Sequence, residues 1–226
     1  MDVAARLVPT RLPDDPVAQV LVLHGGGARR HGMGVSPTQL SVLRMIPIAK
    51  RIAHAGGGRI AVVRVLNSVR GWDTTHTPVR DVRWALGRMR EATGRTLPTC
   101  LVGHSLGGRA AILAADHPQV RSVVALAPWL QPSDGAIDLD GRPVMVVHGT
   151  DDRIANPARA VAASEALART AMVGFVSIDG GRHAMLRHHG QFDAYAADFA
   201  RATLLDEPAR FDPVARVIEG ARWVDA

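Results

Sequence analysis

The stretch Leu101–Leu113, LVGHSLGGRAAIL, decides how the rest of the chain is read. The apolar run TCLVGH reads as a buried strand, and SLGGRAAILAADH as the helix that follows. Between them stands Gly103-His104-Ser105-Leu106-Gly107-Gly108. A sharp turn there brings backbone into close contact, which glycine tolerates two positions either side of the serine. The turn holds the Ser105 hydroxyl above the sheet, at a helix N-terminus that favours negative charge. Ser105 is therefore a candidate nucleophile. A plain glycine-rich turn capping a helix is the bland alternative. The remaining sequence must then supply a base, an orienting acid and two donors for an oxyanion.

Working outward, apolar β-branched runs alternate with longer helical patterns. VAQVLVLHGG (17–26) and RIAVVRVL (59–66) read as strands, as do VRSVVALAP, PVMVVHG and MVGFVSID. Helical patterns lie between them. Ser36 and Pro37 read as the start of one helix, which Pro47 kinks or splits. Another runs from Pro78 to about Thr93, with Val82, Leu86 and Met89 on one stripe. A last one starts at or shortly after His183 and ends near Thr203. Strands alternating with helices imply a mostly parallel central sheet covered on both faces. The expected architecture is a three-layer α/β/α sandwich in a single domain spanning 1–226, with a core from about 17 to 203 and a tail from 204 to 226.

Composition narrows the function. At 47% apolar residues the chain has material for a core, and no apolar run approaches the length of a membrane helix. MDVAARLVPTRLPDDP contains no apolar leader-like run, and Cys100 is the only cysteine. A cytoplasmic location is the expectation. The net charge of +6 raises a nucleic-acid partner, but Lys50 is the only lysine, the arginines are scattered, and aromatics are 4%. No stacking platform is evident, so neither nucleic acid nor membrane is expected as a partner. No Cys or His cluster has zinc-ligand spacing, and no metal or cofactor is expected.

The other members of the site come from loops after strands. His24-Gly25-Gly26-Gly27 follows the first strong strand. A tetrahedral intermediate needs two donors aimed at its oxygen. The amide of Leu106 is one candidate, and Gly26, or else Gly27, the other. A dinucleotide or P-loop reading fails on spacing. Gly149-Thr150-Asp151-Asp152 ends a later strand and offers an acid at the crevice where open α/β sheets bind ligands. Asp152 is preferred, with Asp151 as the alternative. DGGRHAMLRHHG offers His183, His188 and His189, and only His183 lies on a loop directly after a strand. His183 is the candidate base.

The order Ser105, Asp152, His183, with HGGG, GHSLGG, HGTDD and GGRHAM spread from about residue 17 to 203, resembles the α/β-hydrolase superfamily in its small dienelactone-hydrolase-like or esterase-like form. The resemblance implies catalytic roles for Ser105, Asp152 and His183 and oxyanion donors at Gly26 and Leu106. It departs from the usual pattern twice. The region before Val17 is short for two initial antiparallel strands, and the segment from Pro128 to Arg142 is too short for a large cap. Trp72, Trp129 and Arg29 are candidate substrate contacts, with Trp72 equally readable as core. The implied activity is hydrolysis of a small-molecule carboxylic ester or thioester through an acyl-enzyme. The alternatives are a peptidase or cofactor-free perhydrolase on the same triad, and a non-catalytic ligand-binding protein of the same fold.

Overall fold

The computed structural model describes residues 4–27 and 33–226. The chain runs β1 (Arg6–Arg11), β2 (Ala18–Leu23), α1 (Leu40–Leu43), α2 (Met45–Ala55), β3 (Ile60–Leu66), α3 (Thr77–Thr93), β4 (Thr99–His104) and α4 (Leu106–Leu113). It continues through β5 (Val120–Leu126), a 3-10 turn (Pro132–Ala136), β6 (Pro143–Gly149), α5 (Pro157–Leu167), β7 (Met172–Ile178), α6 (His189–Leu205), α7 (Asp212–Ile218) and β8 (Trp223–Asp225).

The strands form one sheet in the order β1-β3-β2-β4-β5-β6-β7-β8. Only β1 is antiparallel to its neighbour. The continuous apolar strands follow from burial on both faces. Successive residues of β2 feed opposite cores. Val20 and Val22 join Ile48 and Ile52 of α2 and Phe192 and Phe199 of α6. Leu21 and Leu23 join Val82 and Leu86 of α3, Ile112 of α4 and Leu167 of α5. Three layers result, and the fold is the expected α/β sandwich.

Several local features refine the sequence reading. The helix opened by Ser36 and Pro37 starts only at Leu40 and is interrupted at Arg44. Pro47 falls at the third position of α2, where its missing N–H leaves little to satisfy. One initial antiparallel strand, β1, is present before Val17. The tail after Leu205 forms α7 and a short strand, β8, parallel to β7. Between β5 and β6 the chain holds only the 3-10 turn, so no cap covers the carboxyl ends of the strands there.

The chain leaves β2 toward β3 on one side, whereas β4 lies on the other. This is a topological switch point, where open α/β sheets leave a crevice. The loops after β2, β4, β6 and β7 all open at that edge.

Candidate active site

The elbow after β4 is built by steric exclusion. A Cβ on Gly103 would strike the Gly107 carbonyl, and one on Gly107 would strike the carbonyls of Leu23 and His24. With those positions bare, α4 can start immediately against β2. Ser105 takes φ 57° and ψ −121°, a region that L-residues avoid. Such strain costs on the order of 1–3 kcal/mol and persists only where the surroundings enforce it. Here they do: the Ser105 N–H donates to Leu126 O at 2.9 Å, and its carbonyl accepts from Gly108 N at 3.0 Å and Trp129 N at 3.1 Å.

His183 sits on the loop between β7 and α6, which starts at His189. Its Nε2 is 3.0 Å from Ser105 Oγ, and its Nδ1 is 2.8 Å from Asp152 Oδ2. A carboxylate only accepts, so the proton sits on Nδ1 and Nε2 is free to accept from the serine hydroxyl. The structure thus brings Ser105, His183 and Asp152 into one chain of hydrogen bonds. Asp152 is buried, whereas Asp151 is exposed and outside that chain. His188 and His189 lie at the α6 start, apart from it.

Two loops are stitched together to make this fit. Asp151 N donates to Gly181 O at 3.0 Å, and Gly180 N to Thr150 Oγ1 at 2.9 Å. Gly149 packs so closely on Gly181 that any side chain there would overlap its carbonyl. Arg44, between α1 and α2 and paired with Asp193, donates through Nε to Ala184 O at 3.0 Å. His104 donates from Nε2 to the His183 carbonyl at 2.9 Å. Burial first, then the neighbouring His183 charge, pushes His104 down to about 3, so it holds the loop as a neutral donor.

Asp152 accepts more than the His183 proton. Its Oδ1 takes the amides of Ile154 at 2.8 Å and Ala155 at 2.9 Å. His148 Nε2 stands 3.2 Å from its Oδ2. Burial alone would raise this carboxyl, but the bonds from His148, His183 and the two amides outweigh it and hold Asp152 below the usual carboxylate range. On sequence alone His148 has no assigned role. It is one residue from the end of β6 and four before Asp152, and that spacing was the available signal.

Gly26 and Leu106 also lie at this edge. The Leu106 amide opens α4, so no helix carbonyl lies four residues back to accept from it. The loop after β2 crosses beside it: a Cβ on Gly25 would lie 2.8 Å from Ser105 Cβ and 3.4 Å from Leu106 N. His24 fixes that loop, its Nδ1 donating to Gly25 O at 2.7 Å while its Nε2 accepts from Asn67 N at 3.1 Å. Burial lowers the His24 pKa, which suits the neutral form this pattern requires.

Of the proposed substrate contacts, Arg29 lies outside the described residues. Trp72 and Trp129 are both half-buried and share one partner. The Arg109 guanidinium lies 4.2 Å from the Trp72 ring centroid and 5.6 Å from that of Trp129. Arg109 is itself tied to Asp134, with Nε 2.8 Å from Oδ2 and Nη2 donating to Oδ1 at 3.0 Å. Beyond His183 a groove of about 820 Å³ is lined by Arg153, Ile154, Arg182, Leu186 and Arg187, among others. Among the described residues no group of His, Cys, Asp or Glu is placed to hold a metal ion, and no helix is long and apolar enough to cross a membrane.

Residues 90–200 match the family model described as the alpha/beta hydrolase family. Among solved structures, the chain is similar to Est1E from Butyrivibrio proteoclasticus with ferulic acid bound, at 15% identity and a TM-score of 0.66, covering 89% of this chain and 95% of that one. It is similar to XC6422 from Xanthomonas campestris, described as an a/b serine hydrolase without lid, at 19% identity and a TM-score of 0.62, with 85% of each chain covered. A truncated carbohydrate esterase from gut microbiota aligns at 13% identity and a TM-score of 0.69, over 89% of this chain and 90% of the other. At these identities the likeness speaks for the fold. A search of curated proteins gave no match.

Proposed function

We propose that the chain is a serine hydrolase of the α/β-hydrolase superfamily, cleaving small-molecule carboxylic esters, with thioesters as chemically close substrates. The observation that carries the reading is the unbroken relay from Ser105 Oγ to His183 Nε2 at 3.0 Å and from His183 Nδ1 to Asp152 at 2.8 Å. The alpha/beta hydrolase family match and the esterases among the structural neighbours favour the same class.

In this reaction His183 takes the Ser105 proton as Oγ attacks the acyl carbonyl. The oxyanion rests on the amides of Leu106 and Gly26. Asp152 keeps the proton on Nδ1 and stabilises the imidazolium that forms. His183 then gives its Nε2 proton to the leaving oxygen or sulfur, and the acyl-enzyme remains on Ser105. Water, deprotonated by the same histidine, releases the acid. Because the proton is delivered from His183, the leaving group passes over the groove of Arg153, Arg182 and Arg187, and the acyl part faces the side of Trp129. Metal and organic cofactors have no role in this scheme. A soluble enzyme of the cytoplasm acting on a small ester fits the composition.

The test is intact mass after incubation with a fluorophosphonate, wild type beside Ser105→Ala, with rates on p-nitrophenyl esters of increasing chain length. A single adduct on wild type, absent from the variant, is expected. No adduct and no turnover would favour a ligand-binding protein of the same fold.

A further inference from the structure

We propose that His148 is a positioning residue: it clamps the Asp152 carboxylate opposite His183 and sets how strongly that carboxylate holds the His183 imidazolium. The inference rests on the serine-hydrolase reading and adds a fourth member to its relay.

His148 is 1% exposed. Its Nε2 donates to the Ala155 carbonyl at 3.1 Å and stands 3.2 Å from Asp152 Oδ2, so the proton sits on Nε2, facing both acceptors. The other ring nitrogen, Nδ1, is buried with no partner among the described residues. An unpaired buried nitrogen costs free energy. Packing does not explain its retention. The ring lies flat on Phe175, 6.2 Å between centroids at 5°, a place a phenyl ring would fill without that cost. What an imidazole supplies here and a phenyl ring cannot is the N–H that meets the Ala155 carbonyl and stands 3.2 Å from Asp152 Oδ2.

The consequence for Asp152 is specific. Oδ2 is shared by two imidazoles, at 2.8 Å from His183 and 3.2 Å from His148. Oδ1 is occupied by the Ile154 and Ala155 amides. The carboxylate is therefore fixed in rotation, and among the described residues no arginine or lysine is paired to it. Each neutral donor on Oδ2 draws negative charge away from the oxygen that supports His183. Removing the His148 donor leaves more of that charge for the imidazolium and so favours the protonated base. It also frees the carboxylate to turn. Among the described residues the other charged and titratable groups nearby are His104 behind His183, Arg44 with Asp193, and Asp151, Arg153, Arg182, Arg187 and His188 around the loop. All are unchanged in the variants below.

The experiment measures the second-order rate of fluorophosphonate labelling of the full chain as a function of pH, a single step in which the Ser105 oxygen displaces fluoride from phosphorus and His183 takes the serine proton. His148→Phe keeps the stack and removes the donor. His148→Gln keeps an amide nitrogen near the reach of Nε2. His148→Asn places its nitrogen near Nδ1, short of Asp152. For Phe and Asn the limiting rate should fall about 10-fold or more, and the acid limb of the profile should move to higher pH by roughly half a unit or more. Gln should keep the wild-type limb. An unmoved limb in Phe and Asn, whatever the loss of rate, would reduce His148 to a packing residue, as would a Gln limb displaced as far as Phe. If circular dichroism shows the Phe variant unfolded, the Gln and Asn pair decides alone. Wild-type protein that takes no label would instead overturn the serine-hydrolase reading, and the inference with it.

Discussion

Asp134 and Asp152 are both buried carboxylates, one after β5 and the other after β6, and they are held in opposite ways. Asp134 is neutralised by Arg109 through two contacts, and the guanidinium is caged between Trp72 and Trp129. Among the described residues Asp152 has no arginine or lysine paired to it. Two imidazoles and two amides surround it. The first arrangement is closed: its charge is cancelled before any ligand arrives. In the proposed reaction the second is open, because neutral donors keep the carboxylate ionised while leaving its charge available to a proton arriving on His183. A buried acid is thus a strut or a reaction partner according to whether its partners carry charge of their own.

The comparison fails altogether if Ser105 is not the group that His183 serves. Ser105→Ala should lower kcat by about 10⁶-fold with the melting temperature little changed, measured on p-nitrophenyl esters beside a thermal melt. Next in size is Asp152→Asn, for which a loss of about 10⁴-fold is expected, since an amide no longer dictates which His183 nitrogen carries the proton. Asp151→Asn should stay within about twofold of wild type by the size typical of an exposed change. The reverse ranking would move the acid to Asp151. Asp134→Ala should act on the other coordinate. Leaving Arg109 buried and unpaired should cost roughly 3 kcal/mol in urea unfolding, with the ester chain-length profile altered through Trp72 and Trp129 rather than kcat abolished.

The smallest effect is an acid sensitivity. Asp152 lies below its ordinary 3.8 in the folded state, so its stabilisation is complete above that pH and is lost as pH falls further. His104, lowered from 6.5 to about 3, contributes fully above 6.5 and progressively less down to about 3. The urea midpoint should therefore decline from neutral pH toward pH 4 by the equivalent of about 1 kcal/mol or more. His104→Gln should flatten that slope. A midpoint independent of pH in that range would contradict the neutral role given to His104.

Much of this was legible in the chain itself. The elbow and the turns that carry Asp152 and His183 announce themselves because tight turns after strands need glycine, and GHSLGG, HGTDD and DGGRH each carry it. Of the two aspartates it is the second, Asp152, that turns inward onto the Ile154 and Ala155 amides. Contacts made only in three dimensions stayed hidden. The His148 partnership requires knowing how the turn after β6 folds back. The Trp72–Arg109–Trp129 cage joins three segments whose sequences say nothing of each other. The strand β8 is three residues long, too short for alternation to register, and exists by pairing with β7.

That last strand also bears on how the protein behaves in a crowd. A sheet has two edges, and each is a template for a neighbour's backbone. At one end β1 carries Pro9, which offers no N–H, beside a break in register. At the other, β8 is short, flanked by Arg222 and ended by Asp225, and its Trp223 lies flat on Phe175 at 4.6 Å. Beneath it runs MVGFVSI, seven residues with no charge. Were β8 to peel away, that apolar strand would become a bare edge. The few residues from Arg222 to Ala226 therefore act as a gatekeeper of solubility, and their loss would show as concentration-dependent self-association before it showed as unfolding.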